Sequence, residues 1–128
     1  LLAKQTVLEL GTGMGDSASW FIEAGCEVVT VDIKSFEVCF DIHANVSKIV
    51  ADDRFFPIRE DAKFALVFVD SNHQYEHTKY EIALALKHAT KFLAFDDISW
   101  NGVSRALREA NINLYGIGHD IGAFRLAG

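Results

Sequence analysis

The run Val7-Leu8-Glu9-Leu10 passes without a spacer into Gly11-Thr12-Gly13-Met14-Gly15, and then into Asp16-Ser17 and an apolar-periodic stretch. A buried strand that must turn at once into a helix across three glycines leaves few folds open. Glycine lets backbone approach a bound molecule closely, and the free amides of the helix's first turn face whatever sits there. In open α/β sheets that place is the crevice beyond the carboxyl ends of the strands.

Further along, apolar runs of strand length recur at Glu27 to Val31, Lys48 to Ala51, Ala65 to Val69 and Phe92 to Phe95, after the first at Thr6 to Leu10, and each ends at Gly or Asp. Helical patterns lie between them at Ser17 to Ala24 and His77 to His88, and a third follows at Val103 to Ala110. Alternation of this kind predicts a parallel sheet covered by helices on both faces, a Rossmann-like, doubly wound α/β fold. The tail departs from the rhythm. Asn113 to Ile117 and Ala123 to Leu126 read as two short strands around Gly118, His119, Asp120 and Gly122, which predicts a C-terminal antiparallel hairpin. Ile33 to Val46 carries mixed signals, and a helix there would be short or irregular.

With 128 residues, half of them hydrophobic, the chain is the size of one ordinary domain, and no linker or repeat divides 1–128. The formal charge is −6 and the basic residues are scattered singly, which argues against nucleic acid or an anionic membrane as partner. No apolar stretch is long enough to span a bilayer and no basic-then-apolar leader opens the chain, so a soluble protein is expected. Cys26 and Cys39 lack metal-ligand spacing and read as reduced thiols, consistent with a cytoplasmic setting.

The sign of charge around the glycine loop selects among cofactors. A dinucleotide fingerprint would place its third glycine at position 16, where this chain has Asp16, and that carboxylate would face a pyrophosphate. S-adenosylmethionine carries an ammonium and a sulfonium, so Glu9 before the loop and Asp16 after it complement it. A plain structural alternative is that Asp16 and Ser17 only cap the helix. On Glu9, Gly11, Gly13 and Gly15 the sequence resembles the class I S-adenosylmethionine-dependent methyltransferases, whose first motif reads E-x-G-x-G-x-G. The resemblance implies a minimal form of that fold and cofactor contacts from Glu9, Gly11, Thr12, Gly13, Gly15, Asp16 and Ser17. Asp32, about twenty residues after the loop, suits the ribose hydroxyls of an adenosine. The family places an acid near the adenine amino group at the position of Asp52, for which Asp53 competes.

Two acidic segments follow the fourth and fifth strands, Asp70-Ser71-Asn72-His73-Gln74-Tyr75-Glu76 and Asp96-Asp97-Ile98-Ser99-Trp100-Asn101-Gly102. They resemble the D-x-x-H-x-Y-E and F-D-D-I motifs of small-molecule O-methyltransferases that act on macrolide and aminocoumarin sugars. The second also resembles the D-N-x-x-W-x-G stretch of cation-dependent catechol-type enzymes. The resemblance implies that Asp70, which also borders the cofactor, binds a divalent cation such as Mg2+ together with Asp96 and Asp97. Three carboxylates make a hard oxygen shell suited to that ion. If Asp97 instead only caps its loop, no metal site results.

His73 is the natural general base beside Asp70, by its near-neutral intrinsic pKa. Some relatives carry a catalytic acid two residues after the first metal aspartate; this chain has Asn72 there, which cannot take a proton. Tyr75 and Trp100 either line an acceptor pocket or cover the core edge. The expected reaction is methyl transfer to an oxygen of a small-molecule acceptor, with self-association into a homo-oligomer left open. The alternatives are a non-catalytic S-adenosylmethionine-binding domain and, against the charge argument, an NAD-dependent oxidoreductase.

Overall fold

Leu8 and Leu10 point to one side of the first strand and Val7 and Glu9 to the other, and all four are buried, so this strand has to lie in the middle of a sheet covered on both faces. A computed structural model describes residues 5–12, 16–33, 46–54, 58–70, 73–118 and 120–126. Its elements run β1 (Thr6–Leu10), α1 (Asp16–Glu23), β2 (Glu27–Asp32), β3 (Val46–Val50), β4 (Phe64–Val69), α2 (Tyr75–His88), β5 (Ala89–Asp96), α3 (Asn101–Glu109), β6 (Tyr115–Gly118) and β7 (Ile121–Arg125).

These strands form one sheet in the order β3-β2-β1-β4-β5-β7-β6. Strands β1 to β5 pair in parallel, and β7 pairs antiparallel with both β5 and β6. The expected Rossmann-like fold with its C-terminal antiparallel hairpin is therefore present. Order reverses at β1, where the chain leaves toward β2 and β3 and returns to β4 on the far side, which opens the ligand crevice between the carboxyl ends of β1 and β4.

The two faces have separate cores. Leu8, Leu10, Val31, Val67, Val69, Leu93 and Phe95 meet Ile82 and Ala85 of α2 and Val103, Ala106 and Leu107 of α3. On the other face Val7 and Val28 meet Ala18 of α1, and Phe21 sets its ring edge against Phe68 at 5.7 Å. Helix α3 ends in a Schellman motif: Asn111 takes φ 58°, Ile112 N donates to Leu107 O and Asn111 N to Arg108 O, and buried Ile112 anchors the exit.

Two connections depart from expectation. Helix α2 passes straight into β5, since Ala89 is both the helix C-cap and the first residue of the strand. Lys87-His88-Ala89-Thr90-Lys91 supplies the end of a helix and the start of a strand, so β5 begins three residues before the apolar run at Phe92. Parallel crossovers normally use a helix, yet between β3 and β4 the described residues 51–54 and 58–63 form none. They lie along α2 instead. Asp53 Oδ1 bonds His77 Nε2 at 2.6 Å, Tyr80 Oη donates to Arg54 O, and His88 Nδ1 donates to Ala62 O at 2.7 Å. Residues 34–45, with Cys39, and residues 55–57, with Pro57, lie outside the described residues.

Candidate functional site

Strand register places the singled-out residues on one row. Leu10 pairs with Val31 and with Val69, Val69 pairs with Phe95, and Asp32 pairs with Val50. One step beyond the first three, Asp32, Gly11, Asp70 and Asp96 stand side by side at the carboxyl edge of the sheet. The ladder continues into them, with Gly11 N donating to Val31 O at 2.7 Å and Asp70 N to Leu10 O at 2.8 Å. Gly11 takes φ 107°, a backbone that residues with a side chain rarely adopt, and the chain turns off the strand there. Thr12 is buried, Asp16 opens α1 in an exposed position and Ser17 is half-buried. Gly13 and Gly15 lie outside the described residues.

Glu9 sits below this loop and is fully buried. Thr30 Oγ1 donates to its Oε1 at 2.6 Å and Thr12 Oγ1 bonds Thr30 Oγ1 at 2.7 Å, while Glu9 Oε2 meets no hydrogen-bond partner among the described residues. Burial pushes the carboxyl up to about 7; the Thr30 bond works against that rise and the negative charge of Asp32 adds to it. Such a carboxylate, half-satisfied and short of positive charge, is suited to a cationic ligand above it. Thr30 gave no signal as a site residue, because one threonine in an apolar run reads as an ordinary strand residue.

Of the two acids after β3, Asp52 is held by the Arg54 fork, at 3.1 Å from Nε and 2.7 Å from the terminal nitrogen. That bond, with the Arg54 backbone amide, lowers its carboxyl to about 2. Asp53 turns inward to His77, and Asp52, Asp53 and His77 form a compact group.

Asp70, His73 and Asp97 bring one ligand atom each within 4.8 Å of one another. Burial first, then the charges of Asp96 and Asp97, push the Asp70 carboxyl up to about 7, and Asp70 shares a hydrogen bond with the Asp96 side chain. Carboxylates gathered at the ends of β4 and β5 repel one another, and a divalent cation would relieve that repulsion. The converging donor set is thus two carboxylates and an imidazole, which fits a divalent cation; Asp96, expected as a third carboxylate ligand, adjoins Asp70 but is not in this group. Asp97 takes φ 54°, and its amide donates to Asp96 Oδ1 at 2.8 Å. Its Oδ2 lies 2.5 Å from His73 Nε2. A carboxylate oxygen accepts, so Nε2 carries the proton and Nδ1 is the basic nitrogen.

Trp100 stacks on His73 with ring centroids 4.3 Å apart at 28°. Tyr75 is used differently: its hydroxyl donates to Glu109, and Arg105 lies 3.8 Å over its ring, so it ties α2 to α3. Gly102 is where the two acidic segments meet. A Cβ there would collide with the His73 carbonyl and lie 2.9 Å from Tyr75 N. Asp120 of the hairpin turn also reaches the site. It takes φ 55°, accepts from Ser99 N at 2.9 Å and Ser99 Oγ at 2.7 Å, and its carbonyl accepts from Ile98 N at 3.3 Å. Sequence reading placed Asp120 only as a turn residue.

Strand order, the glycine turn at the switch point and the acidic row define a chain with the class I methyltransferase fold, a Rossmann-like sheet closed by an antiparallel hairpin. Among solved structures it is similar to MycE, the methyltransferase from the mycinamycin biosynthetic pathway solved with Mg and S-adenosylhomocysteine, at TM-score 0.69 and 15% identity over 94% of this chain and 45% of that one. It is also similar to the ribosomal protein L11 methylase of Lactobacillus delbrueckii subsp. bulgaricus, at 0.66 and 16% over 99% of this chain and 71% of that one. A third is the N-methyltransferase NodS of Bradyrhizobium japonicum WM9, at 0.62 and 18% over 96% and 86%. The chain spans under half the length of MycE. No family model and no curated protein matches it in sequence. Among the described residues, no helix is long and apolar enough to cross a membrane.

Proposed function

We propose that this chain is an S-adenosylmethionine-dependent methyltransferase that transfers the methyl group to an oxygen of a small-molecule acceptor with help from a divalent cation. The observation that carries this reading is the convergence of Asp70, His73 and Asp97 beyond β4 and β5, next to the crevice in which this fold takes its cofactor. Gly11 and the loop after it would approach the cofactor, Glu9 would offset its positive charge from below, and Asp32 would hold the ribose hydroxyls. Asp70, Asp96 and Asp97 would hold Mg2+, which when bound lowers the pKa of a coordinated hydroxyl. His73, kept in the Nε2–H tautomer by Asp97, would take the acceptor proton at Nδ1, and alignment of the acceptor oxygen with the methyl group supplies much of the rest.

Calorimetric titration of chelator-treated protein with S-adenosylmethionine and S-adenosylhomocysteine, each with and without Mg2+, tests the proposal. Binding of both, followed by Mg2+ binding that Asp96→Ala abolishes, is the expected result. Failure of both ligands to bind overturns it. Binding without turnover across an acceptor screen would make the chain a non-catalytic cofactor-binding domain, and Mg2+ binding unchanged in Asp96→Ala would remove the cation from the mechanism.

A further inference from the structure

The His73–Asp97 pair is built from two loops that approach each other over the end of the sheet, and one of them needs an outside anchor. The segment Asp97 to Trp100 follows directly on β5 and begins with a residue in the left-handed region, where aspartate is tolerated at a cost. Its internal support is slight: Trp100 N donates to Asp97 O at 3.0 Å, and Asp97 N to the preceding Asp96 side chain. Among the described residues, α3 adds one bond at the far end, Ser104 N to Trp100 O at 2.9 Å, and the middle of the segment is held by Asp120. Both of its carboxylate oxygens are spent on Ser99, one on the amide and one on the hydroxyl, and its carbonyl takes the Ile98 amide. These contacts fix Ile98 and Ser99 in the middle of the segment, with Asp97 and Trp100, the two residues that touch His73, on either side.

The hairpin is well placed for this task. β7 pairs with β5 up to Asp96, opposite Ile121, so Asp120 continues the strand alongside the segment it holds. Close packing reinforces the arrangement at Gly122, where a Cβ would lie 2.7 Å from Leu114 and 3.1 Å from Ile98.

We propose that Asp120 is a positioning residue: by fastening Ile98 and Ser99 to the hairpin turn it sets Asp97 and Trp100 around the His73 ring. The functional meaning of this rests on the methyltransferase reading above, but the geometric effect does not. Asp120 touches none of the reacting groups and acts through the loop.

The test reads the free protein by NMR, with 15N-labelled histidine, from the downfield proton of His73 Nε2–H and the cross-relaxation between the His73 and Trp100 rings. Asp120→Gly removes the carboxylate and suits the positive φ, so the turn itself is not strained. It is expected to lose the downfield proton and at least half of the ring cross-relaxation. Asp120→Asn keeps an acceptor for the Ser99 amide, tolerates the same φ and is expected to restore both signals. S-adenosylhomocysteine affinity, measured on the same samples, is expected to stay within about threefold of the parent.

Retention of both His73 signals in Asp120→Gly overturns the proposal. So does their loss together with general chemical-shift change across β1 to β4, which would make Asp120 a fold residue only. If Asp120→Gly does not fold, Ser99→Ala removes one bond from the other partner, and unchanged ring cross-relaxation there overturns the proposal equally. Absence of S-adenosylhomocysteine binding in the parent protein would sink the methyltransferase reading while leaving the His73 readout to judge Asp120.

Discussion

Glu9 shows how a buried carboxyl makes the stability of the empty protein depend on pH. Its ordinary carboxyl value is 4.5 and burial raises it to about 7, so folding favours the protonated form. The stability this contributes is complete below about pH 4.5 and is lost as pH rises through about 7, because the buried group must then ionise. The ligand-free protein is therefore expected to melt at a higher temperature at pH 5 than at pH 8, with a loss of order 3 kcal/mol from this group. Glu9→Gln keeps the acceptor for Thr30 and should lessen that pH dependence, leaving the share of Asp70, which burial likewise raises to about 7, while weakening S-adenosylmethionine binding on the order of tenfold. Thermal melts across pH and calorimetry measure the two effects, and a pH dependence equal in Glu9→Gln and the parent would remove Glu9 as its source. Gly102→Ala is a second expectation at this scale. Its methyl group would press on the backbone of His73 and Tyr75, costing about 1–3 kcal/mol in urea denaturation as overpacking does. A neutral result would mean that the α2 and α3 N-termini separate easily.

Among elements, the connection from β3 to β4 depends on α2 where a helix would ordinarily pack for itself. His77 lies between Asp53 and Glu81, 2.6 Å from the first and 3.7 Å from the second, and both acids are almost wholly buried. Removing the imidazole in His77→Ala takes one partner from each of two buried acids, with an expected cost of about 3–5 kcal/mol. Faster hydrogen exchange at Ala62, whose amide closes a turn onto Arg59 in the same connection, should accompany it. Exchange unchanged at Ala62 would show the connection to be held by other contacts. Element type was easy to read from the sequence and boundaries less so. β1 matched residue for residue because Gly11 ends it abruptly, whereas the hairpin strands were found with shifted bounds, because Gly118 and Gly122, read as turn residues, lie inside β6 and β7. The start of β5 was missed since Ala89, Thr90 and Lys91 carry no apolar pattern; they are strand only because α2 delivers them beside Phe64.

At the scale of the whole molecule, the mainly parallel sheet and the row of Asp32, Gly11, Asp70 and Asp96 followed from spacing, since each ends a strand and parallel strands bring their ends to one edge. The inward turn of Asp53, the capture of Asp52 by Arg54 and the reach of Asp120 were not legible, because each depends on segments distant in sequence that only the fold brings together. Ligand binding acts on this whole body. At a hundredfold excess over its dissociation constant, S-adenosylhomocysteine should stabilise the protein by about 2.7 kcal/mol and raise its melting temperature on the order of 10 °C. Absence of any shift in differential scanning fluorimetry would contradict the proposed cofactor.

The direct junction of α2 with β5 makes the site a matter of counting. Side chains alternate along a strand, so the distance in residues from His88 decides whether Phe95 faces the core and where Asp96 and Asp97 emerge. No loop is present there to take up an added or missing residue. One irregularity, a register shift where Ala89 to Phe92 runs beside Phe64 to Leu66, already absorbs a mismatch. The chain thus meters its acidic edge from the last turn of a helix. An insertion at this junction should therefore exchange inner and outer faces along β5, whereas a longer β6–β7 turn changes neither.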